Sequence, residues 1–318
     1  MSEPAGFVKS ALSPVAGVFN RVRLGFPGHY LQGTGNFGGD LLCSTVCREL
    51  KKRGKGRIAM ISRQVGLFER NHDVDLVIHH PHPALDYWLH AGLPATRLNY
   101  STYDASRDAD LPPSKHILIH MCEKAGIKGP VELRPYFYLS EAEFAAGKLA
   151  EYQVVMQSSG LAAANTMRNK EWYPQRFQEV CSELRKDVQV IQLGSADDPK
   201  LEGAIDKRGK TSVRESAAIL ANSLVYIGLV GFLMHLARAV DCRSVIIYGG
   251  REKPAQTGYV ANKNLYSQVR CAPCWLRNPC DFDRKCMDMI TSPQVIAATA
   301  EQISKFGTLL EVQTAQLI

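Results

Sequence analysis

Short apolar runs bounded by turn residues alternate along this chain with stretches in which apolar positions recur every three or four residues. The short runs at residues 57–61, 75–79, 152–156, 188–193, 223–228 and 244–248 read as buried strands, and residues 21–26 as a first strand ahead of them. Leu42, Val46 and Leu50 fall at i, i+4 and i+8, which predicts an amphipathic helix directly after Asp40, with Gly54 suited to its C-terminal cap. Pro112-Pro113 opens a helix over 114–124 that ends at Gly126. Ser212 and Glu215 form a capping box for a helix running to Asn222, residues 230–240 form an apolar helix, and 301–318 are helical in pattern. Strands alternating with helices imply parallel sheets.

At 318 residues and 45% apolar content, the chain exceeds one ordinary hydrophobic core and is expected to fold as two domains. Gly129-Pro130 and Arg134-Pro135 punctuate an extended stretch that suits a connection. The boundary is placed near Ala150, giving domains over 1–149 and 150–318. No run approaches the ~20 apolar residues of a membrane span. The apolar patch from Val15 to Phe19 lacks the continuous core and cleavage site of a signal peptide, so a cytoplasmic protein is expected. The formal charge of +7 is spread over both halves, apart from a cluster at Lys51, Lys52, Arg53, Lys55 and Arg57. That cluster reads as a solvated helix end, or as a surface drawn to anionic lipid at the inner membrane. Net basicity with four clustered cysteines also admits a nucleic-acid-binding zinc protein. The dense basic stripe with interleaved aromatics is missing, and no nucleic acid is expected as a partner.

Candidate chemistry lies at three places. The strand 223–228 feeds the helix 230–240 through a glycine turn, Gly228 to Phe232, which offers backbone N–H groups and the positive end of a helix dipole to an anion. Open α/β sheets bind phosphorylated ligands at such an edge, and His235 falls in the first turns of that helix. In the N-terminal half, Gly33, Gly35, Gly38 and Gly39 precede Asp40 and allow close approach. By residue preference Asp40 reads as a helix N-cap. The third place is Cys271, Cys274, Cys280 and Cys286, spaced C-x2-C-x5-C-x5-C. Four thiols so close in a cytosolic chain suit a closed, structural zinc or iron site, with disulfides or free thiols as the alternative, and no catalytic metal is expected. Cys43 and Cys47, one turn apart, read as buried thiols. His79, His80 and His82, broken by prolines, read as an acceptor-side loop rather than a metal cluster.

Tyr226-Ile-Gly through His235-Leu-Ala, the strand Ser244 to Gly250, and the tail from Cys271-x-x-Cys274 to Cys286-Met287 with Val295 resemble the C-terminal half of family 9 glycosyltransferases. These are the heptosyltransferases of lipopolysaccharide assembly and their relatives. The resemblance implies an α/β fold of two Rossmann-like domains facing a cleft (GT-B). It also implies an inverting transfer of a heptose-like sugar from an ADP-heptose-like nucleoside-diphosphate donor to a bacterial saccharide or other cell-envelope acceptor. Gly39-Asp40-Leu41 matches the family's Gly-Asp pair, which makes Asp40 the implied catalytic base. In Arg168-Asn-Lys170-Glu-Trp172-Tyr-Pro174, Lys170 matches the basic residue that contacts the donor diphosphate, with Arg168 in reserve. Ser159 in the polar turn 157–160, together with Gly231, Leu233, Met234 and His235, completes the implied donor site. Relatives that glycosylate autotransporters resemble the cysteine tail with a finger that holds iron. The family's acid, followed by Ser or Thr and Gly, is replaced here by Val230-Gly231-Phe232. That departure implies looser recognition of the nucleoside, and it keeps open a non-catalytic, nucleotide-sugar-binding relative as the second reading.

Overall fold

The computed structural model describes the backbone of residues 18, 19, 22, 25, 27–79, 94–163 and 165–315, with side chains as far as Ser304. It divides into two compact units, Met1–Tyr100 with Leu118–Leu133, and Ser101–Ile117 with Arg134–Ile318. The strand expected at 21–26 lies largely outside the described residues, as do His80 and His82.

In the first unit β1 (His29–Gln32), β2 (Ile58–Ser62), β3 (Leu76–His79) and β4 (Ala95–Arg97) form a parallel sheet in the order β3-β2-β1-β4. Helix α1 (Phe37–Lys52) follows β1. Its N-cap is Asn36, whose side chain accepts the Gly39 N–H at 2.7 Å, so Asp40 is not the cap but lies within the first turn. A carboxylate there suits the helix dipole, as Lys51 and Lys52 do in the last turn. Gly54 follows the helix in the left-handed conformation. Cys43 and Cys47 are fully buried on α1. Helix α2 (Ile117–Lys124) starts three residues later than the sequence suggests.

The second unit opens with a two-stranded hairpin, β5 (Tyr103–Asp104) and β6 (Ala109–Asp110). Its six-stranded sheet is parallel throughout: β7 (Gln153–Met156), β8 (Gln189–Gln192), β9 (Ile205–Asp206), β10 (Tyr226–Leu229), β11 (Ser244–Gly249) and β12 (Lys263–Tyr266) in the order β12-β11-β10-β7-β8-β9. The helices are α3 (Glu141–Ala146), α4 (Pro174–Leu184), α5 (Val213–Ala221), α6 (Phe232–Ala239), α7 (Pro254–Thr257), α8 (Lys285–Asp288) and α9 (Ser292–Ala315). Val154, Trp172, Phe177, Val190, Ile227, Ile247 and Val295 are among the side chains that fill its core. The capping box of Ser212 and Glu215 is present on α5, and Ser140 with Glu143 makes another on α3.

Residues 134–149, expected in the first domain, group with the second unit. Arg214 of α5 pairs with Glu143 and donates to the Tyr138 carbonyl at 2.7 Å. A Cβ on Gly147 would sit 2.1 Å from the Ala218 carbonyl oxygen, so only glycine allows that approach of α3 to α5. Residues 101–117 also depart from the simple boundary. The hairpin's Asp110 is buried and receives the guanidinium groups of Arg251 and Arg277, a pairing that satisfies a carboxylate otherwise costly to bury. Among the described residues no helix is long and apolar enough to cross a membrane.

Candidate active site

Both sheets reverse their strand order at one point, and open parallel sheets bind ligands outside the carboxyl ends of the strands there. In the second unit the reversal lies between β7 and β10. The turn after β7 carries Ser158 and Ser159, and the turn after β10 carries Val230 and Gly231. Gly231 is the N-cap of α6 in extended conformation, and a Cβ there would meet nothing within 4 Å. Leu233 and Met234 are buried, with Met234 Sδ 3.7 Å from the Tyr248 hydroxyl, so their side chains serve packing. His235 is buried too, one turn into α6, with Nδ1 2.6 Å from the Tyr259 hydroxyl. Burial pushes its pKa down to about 3, helped by the Lys170 charge, so the imidazole is neutral at physiological pH.

The charges of Lys170 and Glu252 both act on His235, and the two are themselves paired. Lys170 Nζ is 2.5 Å from Glu252 Oε1, which also accepts from Arg251 Nη1 at 2.5 Å. Burial alone would raise the Glu252 carboxyl, yet the Lys170 and Arg251 charges bring it down to about 2. Burial lowers the Lys170 pKa, and the Glu252 charge pulls against that. Nearby, a cavity of about 540 Å³ is lined by Ser159, Arg168, Glu171, Asp197, Asp198 and Arg284, among others. Glu171 accepts from Ser159 Oγ and from the Gly160 N–H, each at 2.8 Å. Asp198 accepts the Ser195 N–H at 3.1 Å, and burial, with the Glu171 charge adding to it, raises its pKa to about 6. The cavity therefore presents carboxylates and hydroxyls, suited to hydroxyl-rich ligands, with two guanidinium groups at its wall.

In the first unit the order reverses between β1 and β4, and the glycine loop follows β1. Asp40 is fully buried beneath that loop. Its Oδ1 accepts the Gly35 N–H at 2.8 Å and its Oδ2 accepts the Ser62 hydroxyl. A Cβ on Gly33 would sit 2.2 Å from Asp40 Oδ1, and one on Gly39 would sit 2.0 Å from Thr34 Oγ1. The glycines therefore make room for the loop to close around the carboxylate. Burial raises the Asp40 pKa from the ordinary range, against the lowering effect of Ser62, Gly35 and Thr34.

Residues 132–284 match the sequence profile of glycosyltransferase family 9 (heptosyltransferase). The chain carries a family 9 glycosyltransferase domain. The fold agrees with that of ADP-heptose lipopolysaccharide heptosyltransferase II from Escherichia coli, at TM-score 0.65 and 15% identity over 87% of this chain and 99% of that one. It is similar to the iron-containing dodecameric glycosyltransferase TibC of enterotoxigenic E. coli, at TM-score 0.66 and 17% identity over 87% of this chain and 76% of the other. A family 9 glycosyltransferase from Veillonella parvula gives TM-score 0.63 and 15% identity, over 87% and 97% of the two chains. The α/β fold of the GT-B class is thus the fold of this chain. Comparison with curated proteins by sequence finds no match.

Cys271, Cys274, Cys280 and Cys286 all line one small cavity of about 50 Å³ between Gly250 and Phe282. The Arg284 N–H approaches Cys280 Sγ at 3.4 Å, and burial raises the thiols of Cys274 and Cys286. Among the described residues no group of three or more His, Cys, Asp or Glu side chains stands in ligand geometry around a common point. The donor chemistry of four thiols fits a soft ion. Glu252, Glu171, Asp198 and Ser62 are the residues that pattern reading missed. Glu252 and Asp198 had a legible signal, because each follows a strand's carboxyl end and a glycine. Glu171 and Ser62 gave none, since their roles come from what the fold brings opposite them.

Proposed function

We propose that this family 9 glycosyltransferase transfers a heptose-like sugar, with inversion, from a nucleoside-diphosphate donor to a saccharide or other acceptor of the bacterial cell envelope. The observation that carries this reading is the Lys170–Glu252 pair, whose charges act on His235 at the strand-order reversal, with Arg168 and Glu171, which flank Lys170 in sequence, in the wall of a cavity of about 540 Å³. Lys170, held by Glu252, would face the donor diphosphate and oppose the charge that builds on the departing phosphate. His235, neutral, would offer a hydrogen bond rather than a charge. The hydroxyl-rich part of the donor suits the carboxylates and Ser159 in the cavity, with Arg168 and Arg284 at its wall. ADP-heptose as donor is supported by the structural neighbour determined with ADP-D-β-D-heptose, the TibC heptosyltransferase. An acid absent at Val230 is available nearby as Glu252.

Asp40 serves in this reading as general base, taking the acceptor hydroxyl's proton while that oxygen attacks the anomeric carbon opposite the leaving diphosphate. Its raised pKa supports a carboxylate ready to accept a proton. The complete burial of Asp40 requires the loop 33–36 to open for the acceptor. The four cysteines would hold one zinc or iron ion in a structural role, and the similar TibC is iron-containing. Lipopolysaccharide assembly in the cytoplasm, at or near the inner membrane, is the setting this reading implies.

The test is a thermal-shift panel of ADP, UDP, GDP and their sugars, followed by turnover with the donors that bind. Stabilisation by a nucleoside-diphosphate heptose with transfer to a saccharide acceptor is expected. Stabilisation without turnover under any acceptor would favour the non-catalytic relative, and no stabilisation by any nucleotide would remove the donor site from this unit.

A further inference from the structure

The short 3-10 turn Arg168–Lys170 is tied to the four-cysteine loop by hydrogen bonds of both backbone and side chains. Asn169 is buried, its N–H donates to the Arg277 carbonyl at 3.0 Å, and its Nδ2 donates to the carbonyls of Leu276 at 3.2 Å and Pro279 at 2.8 Å. The Arg168 N–H donates to Asn278 Oδ1 at 3.1 Å, and Arg284 Nη1 donates to the Glu171 carbonyl at 2.8 Å and the Arg168 carbonyl at 3.3 Å. The same loop grips the other partner of Lys170. Arg251, adjacent to Glu252, donates from Nε to the Leu276 carbonyl at 2.9 Å and lies 5.2 Å above the Trp275 ring. The Leu276 carbonyl therefore accepts from both sides, once from the residue before Lys170 and once from the residue before its carboxylate.

From this geometry we infer that the four-cysteine loop is the positioning frame of Lys170, with Asn169 as the residue that sets where the lysine stem begins. This rests on the reading that Lys170 meets the donor diphosphate. A lysine side chain has a flexible four-carbon stem, so its ammonium is directed only as well as its backbone and its partner are held. A loop that fixes both ends of the Lys170–Glu252 pair orders that charge before the ligand arrives, and such ordering raises affinity by lowering the entropy lost on binding. The loop's part in the enzyme is then to prepare the diphosphate site, beyond holding its own fold. Any change in the thiols that loosens residues 276–284 would act on donor binding first.

The experiment compares affinities of wild type, Lys170→Ala, Asn169→Ala and the double variant for a nucleoside diphosphate and its monophosphate. The tightest wild-type binder of ADP, UDP and GDP is the probe. Asn169→Ala is expected to weaken the diphosphate about 10-fold and the monophosphate less than about twofold, as removal of the lysine does. The double variant is expected to lose no more than Lys170→Ala alone, because the two residues act as one unit. If Lys170→Ala leaves the preference for the diphosphate intact, or wild type binds no diphosphate, the donor reading fails and this inference falls with it. If Lys170→Ala abolishes the preference while Asn169→Ala retains it, the donor reading stands and the positioning role is overturned. Should Asn169→Ala fail to fold, Asn278→Ala removes the half-buried acceptor of the Arg168 N–H and takes its place. About a threefold selective loss of the diphosphate then supports the inference, and an unchanged preference overturns it.

Discussion

Replacing Glu252 by Gln tests the charge arrangement at the candidate donor site. Glu252 and Asp110 are the two carboxylates that face Lys170, Arg251 and Arg277, with Glu252 and Arg251 almost wholly buried. Glutamine keeps the shape and one acceptor but leaves three cations against one anion. Removing one partner of a buried pair costs about 3–5 kcal/mol, since the remaining charge stays out of water. For a unit of this size each kcal/mol moves the melting temperature by roughly 2–4 °C, so Glu252→Gln should lower it by about 6–20 °C at neutral pH. The pH dependence has a definite sign. Glu252 is depressed from 4.5 to about 2, so its contribution is whole above 4.5 and fades as pH falls towards 2. Circular-dichroism melts of both proteins from pH 7 to pH 2.5 measure the difference. A gap that is wide at pH 7 and narrows below pH 4.5 is expected. A variant that melts within 1 °C of wild type at pH 7 would refute the buried pair and, with it, the explanation of how Lys170 is held.

Asp40→Asn should leave donor affinity within about twofold and reduce turnover by about 100-fold or more, the scale of a lost general base. The acid limb of the wild-type rate profile should lie above 3.8, because burial raises this carboxyl; a limb at or below the ordinary value would speak against the assignment. Asp198 is raised from 3.8 to about 6, so its burial costs stability as pH rises through that interval, by roughly 3 kcal/mol when complete. Asp198→Asn should therefore melt higher than wild type at pH 7.5 and no higher at pH 4, as differential scanning fluorimetry can read. A chelator should lower the melting temperature if the four thiols hold an ion, and elemental analysis of protein purified without chelator should find zinc or iron. Absence of both metals would leave Cys271, Cys274, Cys280 and Cys286 as free thiols.

The sheets, the capping box at Ser212 and the strand-turn-helix around Gly231 were legible because each depends on neighbours in sequence. The class of chemistry was legible too, since residues that meet phosphate and sugar recur in local motifs. Long-range pairing was not. Nothing near Asp110 in sequence announces two arginines from beyond residue 250, and nothing in the glycines at 33–39 tells whether they admit a ligand or enclose Asp40. Residue preference alone makes Asp40 a cap, but Asn36 occurs first and takes the role. The boundary near Ala150 followed the prolines, whereas Gly147 and Arg214 bind the segment after residue 134 to the second unit.

The excursion of Ser101–Ile117 makes the second unit discontinuous in the chain. A ribosome delivers Asp110 long before Arg251 and Arg277 emerge, so this segment must wait, unpaired, while the first unit's remaining residues follow it. Completion of the second unit is therefore tied to a piece of chain anchored on either side in the first. A fragment beginning at Arg134 would contain the whole six-stranded sheet and still present two arginines without their shared carboxylate. Proteolysis between residues 101 and 117 would likewise damage the second unit from within the first half of the sequence. Chain order thus ties completion of the second unit to residues made before the first unit is finished.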